Sequence, residues 1–310
     1  MSTIIFFDQN LNERGTSIAT YDYAHFNEEI LGNKSIIATF ADRGDHDFSS
    51  YNKFKNRFNN IIEVNEFKEL EKIPCDYVYN LKYGYKDGNL VNHAKNLIHV
   101  VFPSYEPHGD KYIYISKWLS NIYNKPFVPH MVNLPIHHQN YKDFFNIKKN
   151  TLVVGWMGGN NFELEFARKV VERVAKERGE DIIFLFMNQD RFCFEENTVF
   201  INGTTDQDAK VAFINTCDVM LHARERGETF GLAIAEFSTM NKPIITYSKS
   251  PERNHIEILR DKGIYYHDYQ SLYDILNHLH FDDVRKGDWN CYQDYTPEKV
   301  MEQFNKIFLK

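Results

Sequence analysis

The sequence predicts an α/β protein with two tandem domains, each built around a parallel β-sheet. Short apolar runs alternate with longer amphipathic segments, which is the pattern of β-α-β units. The pattern restarts near residue 151, after a proline-rich segment, residues 125–135, in which a helix would not survive. Two such halves suggest two Rossmann-like domains facing each other across a cleft. We expect the first domain over residues 1–140 and the second over residues 141–310, with the terminal helix (residues 297–310) crossing back to the first.

The elements of the first half follow from apolar runs separated by polar turns. Residues 3–7 predict a buried strand, and a polar turn with Gly15 leads into a helical stretch from about Thr16 to Leu31. Further apolar runs predict strands over residues 35–40, 77–81, 97–102 and 112–116.

The second half repeats this order more clearly. Residues 151–155 predict a strand, followed by a glycine-rich turn over residues 156–161 and an amphipathic helix that ends at Gly179. Asp206 is expected to introduce another helix, and Pro297 stands in the first turn of the terminal one. The remaining predicted strands cover residues 181–187, 198–203, 218–223 and 242–247.

Composition excludes several classes of protein. The 310 residues are 43% hydrophobic and 25% charged, which suits a globular chain with a sizeable core. A net charge of -7 argues against a broadly basic binder of nucleic acid or of anionic membranes. The chain has neither a run near the roughly 20 apolar residues of a membrane span nor a basic, signal-like start, so we expect no integral membrane segment and a cytoplasmic location.

The four cysteines give no metal or disulfide pattern. Cys75, Cys193, Cys217 and Cys291 are far apart and form no CxxC pair, so neither a disulfide scaffold nor a structural zinc site is expected.

The most informative stretch is residues 217–247. A buried strand is expected to end near Ala223, and a helix to open close to Gly231. The backbone N–H groups of Thr229 to Leu232, at the start of this helix, would form a natural seat for a phosphate. Gly231 lets the backbone approach a ligand closely, and Arg224 with Arg226 can add charge-assisted bonds to phosphate oxygens.

Within this stretch, ETFGLAIAE followed by NKPIIT resembles the E-x7-E signature of retaining GT-B glycosyltransferases, in particular the family-4-like group. The order of VFINGTT, a helix and CDVMLHA upstream extends the resemblance, which covers residues 151–268 well and the first half only in outline. It implies that Glu236 holds the donor ribose and that Glu228 acts beside the donor sugar. It also implies donor contacts from the amides of Phe230, Gly231 and Leu232, with Thr204 and Thr205 near the nucleobase.

The resemblance implies further loops of the site. Gly158 and Gly159 occupy the place of the family's first loop in the second domain, where a basic residue usually clamps the pyrophosphate. Trp156 stands there instead, so the phosphate charge falls to Arg224, Arg226, Arg191 or the glycine amides.

In the first domain, Gly15 and Thr16 resemble the family's loop on the acceptor or phosphate side. A plain helix start, capped by Thr16 or Ser17, is an equal alternative. His108, on a loop with Asp110, is a candidate for the histidine that family members place near the donor sugar, and exposed tyrosines such as Tyr83 and Tyr85 are candidates for stacking on an acceptor sugar.

The function implied is transfer of a sugar from a nucleotide-sugar donor, linked to UDP or GDP, to an acceptor hydroxyl with retention of configuration. The acceptor would be a glycan, a lipid-linked sugar or a protein, and no cofactor or metal is expected. Three alternatives stay open: a GT-B sugar-nucleotide epimerase, a NAD-dependent dehydrogenase and a degenerate nucleotide-sugar-binding protein. The dehydrogenase is disfavoured because GTSIAT and GWMGGNN match G-x-G-x-x-G poorly.

Overall fold

The computed structural model describes residues 1–41 and 47–310. The chain divides into two units: unit 1 comprises Met1–Asn133 with Asp294–Lys310, and unit 2 comprises Leu134–Gln293. Each unit contains a six-stranded sheet. The terminal helix therefore belongs to unit 1, although it follows unit 2 in the chain.

The sheet of unit 1 is parallel throughout, with strand order β3-β2-β1-β4-β5-β6. Chain order reverses between the neighbouring strands β1 and β4, which makes this pair the topological switch point. Its strands are β1 (Thr3–Phe7), β2 (Lys34–Phe40), β3 (Ile61–Val64), β4 (Tyr77–Lys82), β5 (Lys95–Val100) and β6 (Lys111–Tyr114), and its first helices are α1 (Gly15–Glu29), α2 (Phe48–Arg57) and α3 (Lys117–Tyr123). The five predicted strands are confirmed, whereas β3 was not predicted.

The sheet of unit 2 is also parallel, with strand order β14-β12-β10-β7-β8-β9 and its switch point between β7 and β10. Its strands are β7 (Leu152–Met157), β8 (Ile182–Met187), β9 (Thr198–Ile201), β10 (Val219–His222), β12 (Ile244–Tyr247) and β14 (Ile264–Tyr266). The short strands β11 (Gly227–Glu228) and β13 (Glu252–Arg253) form a separate parallel pair. The helices are α4 (Glu165–Arg178), α5 (Gln207–Thr216), α6 (Leu232–Thr239), α7 (Asn254–Leu259), α8 (Tyr269–His278) and α9 (Phe281–Arg285).

Helix ends in unit 2 lie where their sequence signals predict. Asp206 is the N-cap of α5, and its side chain accepts hydrogen bonds from the backbone N–H groups of Asp208 and Ala209. Gly179 follows the last residue of α4 with a positive φ of 51°. One boundary was wrong: β7 runs on through Met157, so Trp156 belongs to the strand rather than to the glycine-rich turn.

The last helix, α10 (Pro297–Phe304), packs on the sheet of unit 1. Pro297 occupies its first turn, as predicted. The Phe304 ring lies 5.3 Å from the ring of Tyr23 and 5.7 Å from the ring of Tyr79, and all three side chains are buried. The Gln303 amide donates to the Phe127 carbonyl at 2.6 Å. The helix thus completes the aromatic core on one face of the first sheet.

Candidate functional site

The candidate donor site lies at the carboxyl edge of the unit 2 sheet. Because the six strands are parallel, their carboxyl ends meet at one edge, where open α/β sheets bind ligands beside the switch point. The loop after β7 carries Gly158 and Gly159, and the segment after β10 leads through Arg224 and Glu228 to α6. The structure therefore brings the predicted donor-binding segments of unit 2 to one edge of one sheet.

Glu228 is held by two basic side chains. Arg224 Nη1 donates to Glu228 Oε2 at 2.9 Å, and His222 Nε2 lies 3.4 Å from Glu228 Oε1. The other ring nitrogen of His222 is 2.9 Å from the hydroxyl of Thr246, which fixes the imidazole. His222 is fully buried, whereas 19% of the Glu228 side chain is exposed. Sequence reasoning missed His222, which ends β10 and looks like an ordinary core residue.

These contacts keep Glu228 ionised. Burial alone would raise the pKa of its carboxyl group, but the hydrogen bond with His222 and the charge of Arg224 lower it to about 2. His255, whose ring lies 5.1 Å from that of His222, is completely buried. Burial, together with the neighbouring His222, lowers the pKa of His255 to about 3. Near neutral pH, Glu228 is therefore a carboxylate and His255 a neutral imidazole.

The amino end of α6 is built around two glycines with positive φ. Gly227 has φ 81°, and a Cβ there would lie 2.1 Å from the Glu252 carbonyl oxygen. Gly231, the N-cap of α6, has φ 89°, and a Cβ there would lie 3.2 Å from Glu228 Cβ. Gly231 thus allows the helix start and Glu228 to lie against each other. A glycine cap offers no side-chain acceptor, so the first N–H groups of α6 can bind an anion.

Residues 229–232 are predicted to contact the donor, and at the first two of these positions the side chain is buried. Only backbone groups are therefore left for a ligand there. Thr229 and Phe230 are buried, and the Phe230 ring packs against Tyr292 at 6.0 Å. The Phe230 carbonyl accepts hydrogen bonds from Asn254 and Tyr292. The Phe230 side chain is therefore structural, whereas Leu232 at the start of α6 is half-buried.

Glu236 forms a buried ion pair that sequence reasoning missed. Its Oε1 accepts from Lys210 Nζ at 2.8 Å, and the two side chains are 10% and 8% exposed, respectively. Glu236 lies on α6 and Lys210 on α5, 26 positions apart in the chain. No local pattern links the two residues, because they lie on different helices.

The glycine-rich loop after β7 is tied to the loop after β8. Asn188 donates from Nδ2 to the Gly158 carbonyl at 2.9 Å, and the Asn160 side chain bonds to Asp190. Gly158 is half-buried and Gly159 is exposed. These bonds fix the loop at the ligand edge.

Trp156 does not occupy a ligand-facing position in this loop. Its ring is 2% exposed and lies 5.5 Å from the Phe162 ring and 5.7 Å from the His222 ring. Trp156 therefore supports the imidazole that contacts Glu228. The basic residue that the resemblance expects here is replaced by a core side chain.

Thr204 lies in the loop between β9 and α5. Its hydroxyl accepts from the backbone N–H of Asp206 at 3.1 Å, and its side chain is half-buried. It stands at the same sheet edge as the predicted phosphate-binding segments.

In unit 1, Gly15 and Thr16 open α1 after the loop that follows β1, at the switch point of that sheet. The expected cap is wrong in its detail: Arg14 is the N-cap and makes no side-chain capping bond. Ser17 instead donates to the Asn10 carbonyl at 2.9 Å and holds the preceding loop.

His108 lies on the loop between β5 and β6. Its Nδ1 is 2.7 Å from the Glu106 carbonyl, its ring is 5.5 Å from that of Tyr112, and burial lowers its pKa. Asp110 accepts from the backbone N–H of Asn96, at the amino end of β5. Asp110 is therefore at the edge opposite the one where parallel sheets bind ligands, contrary to expectation.

In residues 1–41 and 47–310, no group of three or more His, Cys, Asp or Glu side chains is placed to hold a metal ion. Within these ranges, no helix has both the length and the apolar character needed to cross a membrane.

The chain matches known proteins in fold but not in sequence. Neither a protein-family model nor a curated protein matches the sequence. Among solved structures, HepE of Anabaena in complex with UDP-glucose superposes with a TM-score of 0.73 at 12% identity, over 99% of each chain. A glycosyltransferase from Rickettsia africae gives a TM-score of 0.66 at 13% identity, over 98% of this chain and 94% of that one.

Sucrose-phosphate synthase from Thermosynechococcus elongatus gives a TM-score of 0.63 at 10% identity, over 100% of this chain and 97% of its own. These superpositions establish a shared fold. Because the sequence identities are so low, function has to be argued from the site. The chain therefore has the GT-B fold with two Rossmann-like domains, as the sequence predicted.

Proposed function

We propose that this protein is a glycosyltransferase that moves a sugar from a nucleotide-sugar donor to an acceptor hydroxyl with retention of configuration. The observation that carries the proposal is the arrangement at the unit 2 switch point, where Glu228 and Glu236 flank the amino end of α6. HepE, which shares the fold, is known in complex with UDP-glucose and with UDP, which supports a UDP-linked donor here. GDP is the second candidate.

Each group has a role in this proposal. The donor diphosphate binds at the amino end of α6 and at the glycine loop, with Arg224 supplying positive charge. Glu236 accepts hydrogen bonds from the ribose hydroxyl groups. The bond between the anomeric carbon and the diphosphate oxygen breaks while the acceptor oxygen bonds to that carbon, and the proton of the acceptor hydroxyl passes to the leaving diphosphate oxygen. The ionised Glu228 stabilises the positive charge that develops on the sugar. Retention rests on the resemblance to the E-x7-E group.

We propose that the reaction needs no metal ion, because the helix amides and Arg224 can meet the charge of the leaving diphosphate. The acceptor, a glycan, a lipid-linked sugar or a protein, would use residues of unit 1. Candidates are Gly15 and Thr16, with the stacked pair Tyr83 and Tyr85, whose rings are 4.5 Å apart. His108 is the candidate for a catalytic histidine beside the donor sugar.

The test is a thermal-shift screen of the purified protein against UDP, GDP, CDP, ADP, their sugars and NAD. A nucleotide at 100 times its Kd stabilises the native state by about 2.7 kcal/mol. We expect a shift with one nucleoside diphosphate that is lost in Glu236→Ala, followed by release of that diphosphate when acceptor is supplied. The anomeric configuration of the product, read by NMR, then tests retention.

Other results would point to the alternatives. A shift with NAD alone would favour a dehydrogenase, and nucleotide-sugar binding without turnover a degenerate binding protein. Isomerisation of the donor sugar without transfer would favour an epimerase.

A further inference from the structure

We propose that Lys210 is a second ribose-binding residue, which together with Glu236 forms a two-sided site for the vicinal diol of the donor nucleoside. This inference rests on the proposed function, because it assumes that Glu236 meets a ribose. It assigns a role to a residue that neither the sequence motif nor the family resemblance singles out.

The position of the pair supports this role. Lys210 is the fourth residue of α5 and Glu236 the fifth residue of α6, and both helices begin at the carboxyl edge of the unit 2 sheet. Both side chains therefore lie within about 8 Å of a helix start, given a rise of about 1.5 Å per residue. The ion pair stands at the ligand edge rather than in the middle of the core.

The hydrogen bonds of the pair are incomplete. An ammonium group has three N–H donors, and a carboxylate offers about four acceptor sites. Within the described residues, the Lys210–Glu236 contact at 2.8 Å is the one hydrogen bond of either charged group. Groups that are about nine-tenths buried are normally satisfied more fully than this, so the pair can take further partners.

A vicinal diol supplies the missing partners. Each hydroxyl has one donor and two acceptor sites, so a ribose can donate to Glu236 and accept from Lys210 at the same time. A buried ion pair adds little to stability, since apolar residues of similar size often stabilise a core as well or better. Stability alone therefore does not explain this pair.

Charge gives a second reason for the lysine. A lone carboxylate beside the ribose would repel the nearby diphosphate of the donor, and Lys210 offsets that charge. The pair thus binds hydroxyl groups without adding net negative charge to a site for an anionic ligand.

The experiment measures discrimination between UDP and 2′-deoxy-UDP by titration calorimetry, with the GDP pair used if GDP is the nucleotide that binds. We expect the native protein to bind UDP about tenfold more tightly than its 2′-deoxy analogue, since one hydrogen bond to a charged group is lost. In Lys210→Met this ratio should fall by roughly threefold, because Glu236 still accepts from the ribose, and Lys210→Arg, which keeps charge and donors, should restore part of it.

The matched control is Lys142→Met, which removes another partly buried lysine of unit 2, paired with Asp218 at 3.3 Å. It should leave the ratio unchanged. If Lys210→Met does not fold, Glu236→Gln is compared with the doubly substituted Lys210→Met/Glu236→Gln, in which the pair carries no charge. Residual discrimination in Glu236→Gln that disappears in the double variant supports the role of Lys210.

Two results overturn the inference and are distinguishable. If the native protein binds no nucleoside diphosphate, the proposed function fails together with the inference. If the native protein discriminates and the lysine substitution leaves the ratio unchanged, only the inference fails.

Discussion

Arg224 donates to Glu228 Oε2 at 2.9 Å, so the cation expected to meet the donor diphosphate is bonded to the carboxylate expected to meet the donor sugar. Each residue compensates the charge of the other. A bound diphosphate would compete with Glu228 for the guanidinium, which couples phosphate binding to the charge available beside the sugar. The pair therefore links the two ends of the proposed reaction centre.

Glu228→Gln should lower kcat by on the order of 100- to 1,000-fold, because a neutral amide cannot stabilise positive charge on the sugar. The Kd for the nucleoside diphosphate should fall, since Arg224 is no longer bonded to a carboxylate that competes with the diphosphate. Steady-state kinetics and calorimetry measure the two effects. Glu225→Gln, an exposed neighbour on the same loop, is the control and should behave as the native protein. Equal kcat in both variants would show that Glu228 has no catalytic role.

Gly231→Ala should destabilise unit 2 and displace Glu228. A non-glycine residue at φ 89° costs about 1–2 kcal/mol, and the added Cβ would also press on Glu228 Cβ at 3.2 Å. Gly32→Ala is the matched control, because Gly32 has φ 65° with nothing within 4 Å of the added Cβ. Urea unfolding should show a lower free energy of unfolding in both variants. An activity assay should show a loss in Gly231→Ala alone. Full activity in Gly231→Ala would show that close packing at this glycine is not needed.

Trp156→Arg should not create a phosphate clamp. The side chain is buried against Phe162 and His222, so an arginine would place an unpaired charge in the core and cost at least about 3 kcal/mol of unfolding free energy. Phe194→Arg, at an aromatic residue that is 83% exposed, is the control and should be nearly neutral. Denaturant titrations compare the two variants. A stable Trp156→Arg protein with tighter diphosphate binding would contradict the placement of this residue in the core.

Stability should fall as the pH drops below about 6.5, the ordinary pKa of histidine. Burial lowers the pKa of His99 and of His255 to about 3, so below 6.5 the unfolded state binds protons that the folded state does not. Stability therefore rises with pH across the window from about 3 to 6.5, and each histidine should cost about 2 kcal/mol at pH 5 relative to pH 7.5.

Urea titrations at these two pH values test this. His99→Gln should remove about 2 kcal/mol of the pH dependence. His278→Gln, at an exposed position, is expected to leave it intact. An unchanged pH dependence in His99→Gln would show that this imidazole accepts a proton in the folded state.

Chelation should leave transfer activity unchanged, because the proposed mechanism meets the diphosphate charge with Arg224 and helix amides. The measurement is diphosphate release with and without EDTA, and with added Mg²⁺. Loss of activity on chelation that Mg²⁺ restores would assign the charge compensation to a metal ion instead.

Sequence reasoning predicted the features that depend on neighbouring residues. Asp206 caps α5 because its side chain needs only the next turn of backbone, and Gly179 ends α4 because its φ suits glycine. The E-x7-E spacing likewise placed Glu228 before α6 and Glu236 on it.

The features that were missed depend on tertiary packing. Lys210 and Glu236 are 26 positions apart, and nothing in either segment indicates the other. His222 was not recognised as a support of Glu228 because it reads as one more core residue of a strand. Trp156 was missed because it was assigned to the glycine-rich turn rather than to β7. The strand β3 is only four residues long and half-exposed, so its pattern is weak.

The return of α10 to the first sheet has a consequence for how the chain folds during synthesis. Phe304 and Phe308 contribute rings to the same buried cluster as Tyr79, which is encoded far earlier. Unit 2 has all of its residues before α10 emerges from the ribosome, whereas the first sheet must wait with part of one apolar face uncovered. Domains usually fold in order from the amino terminus. Here the second unit can finish first, and the exposed face of the first sheet is where we expect a nascent chain to need protection by a chaperone.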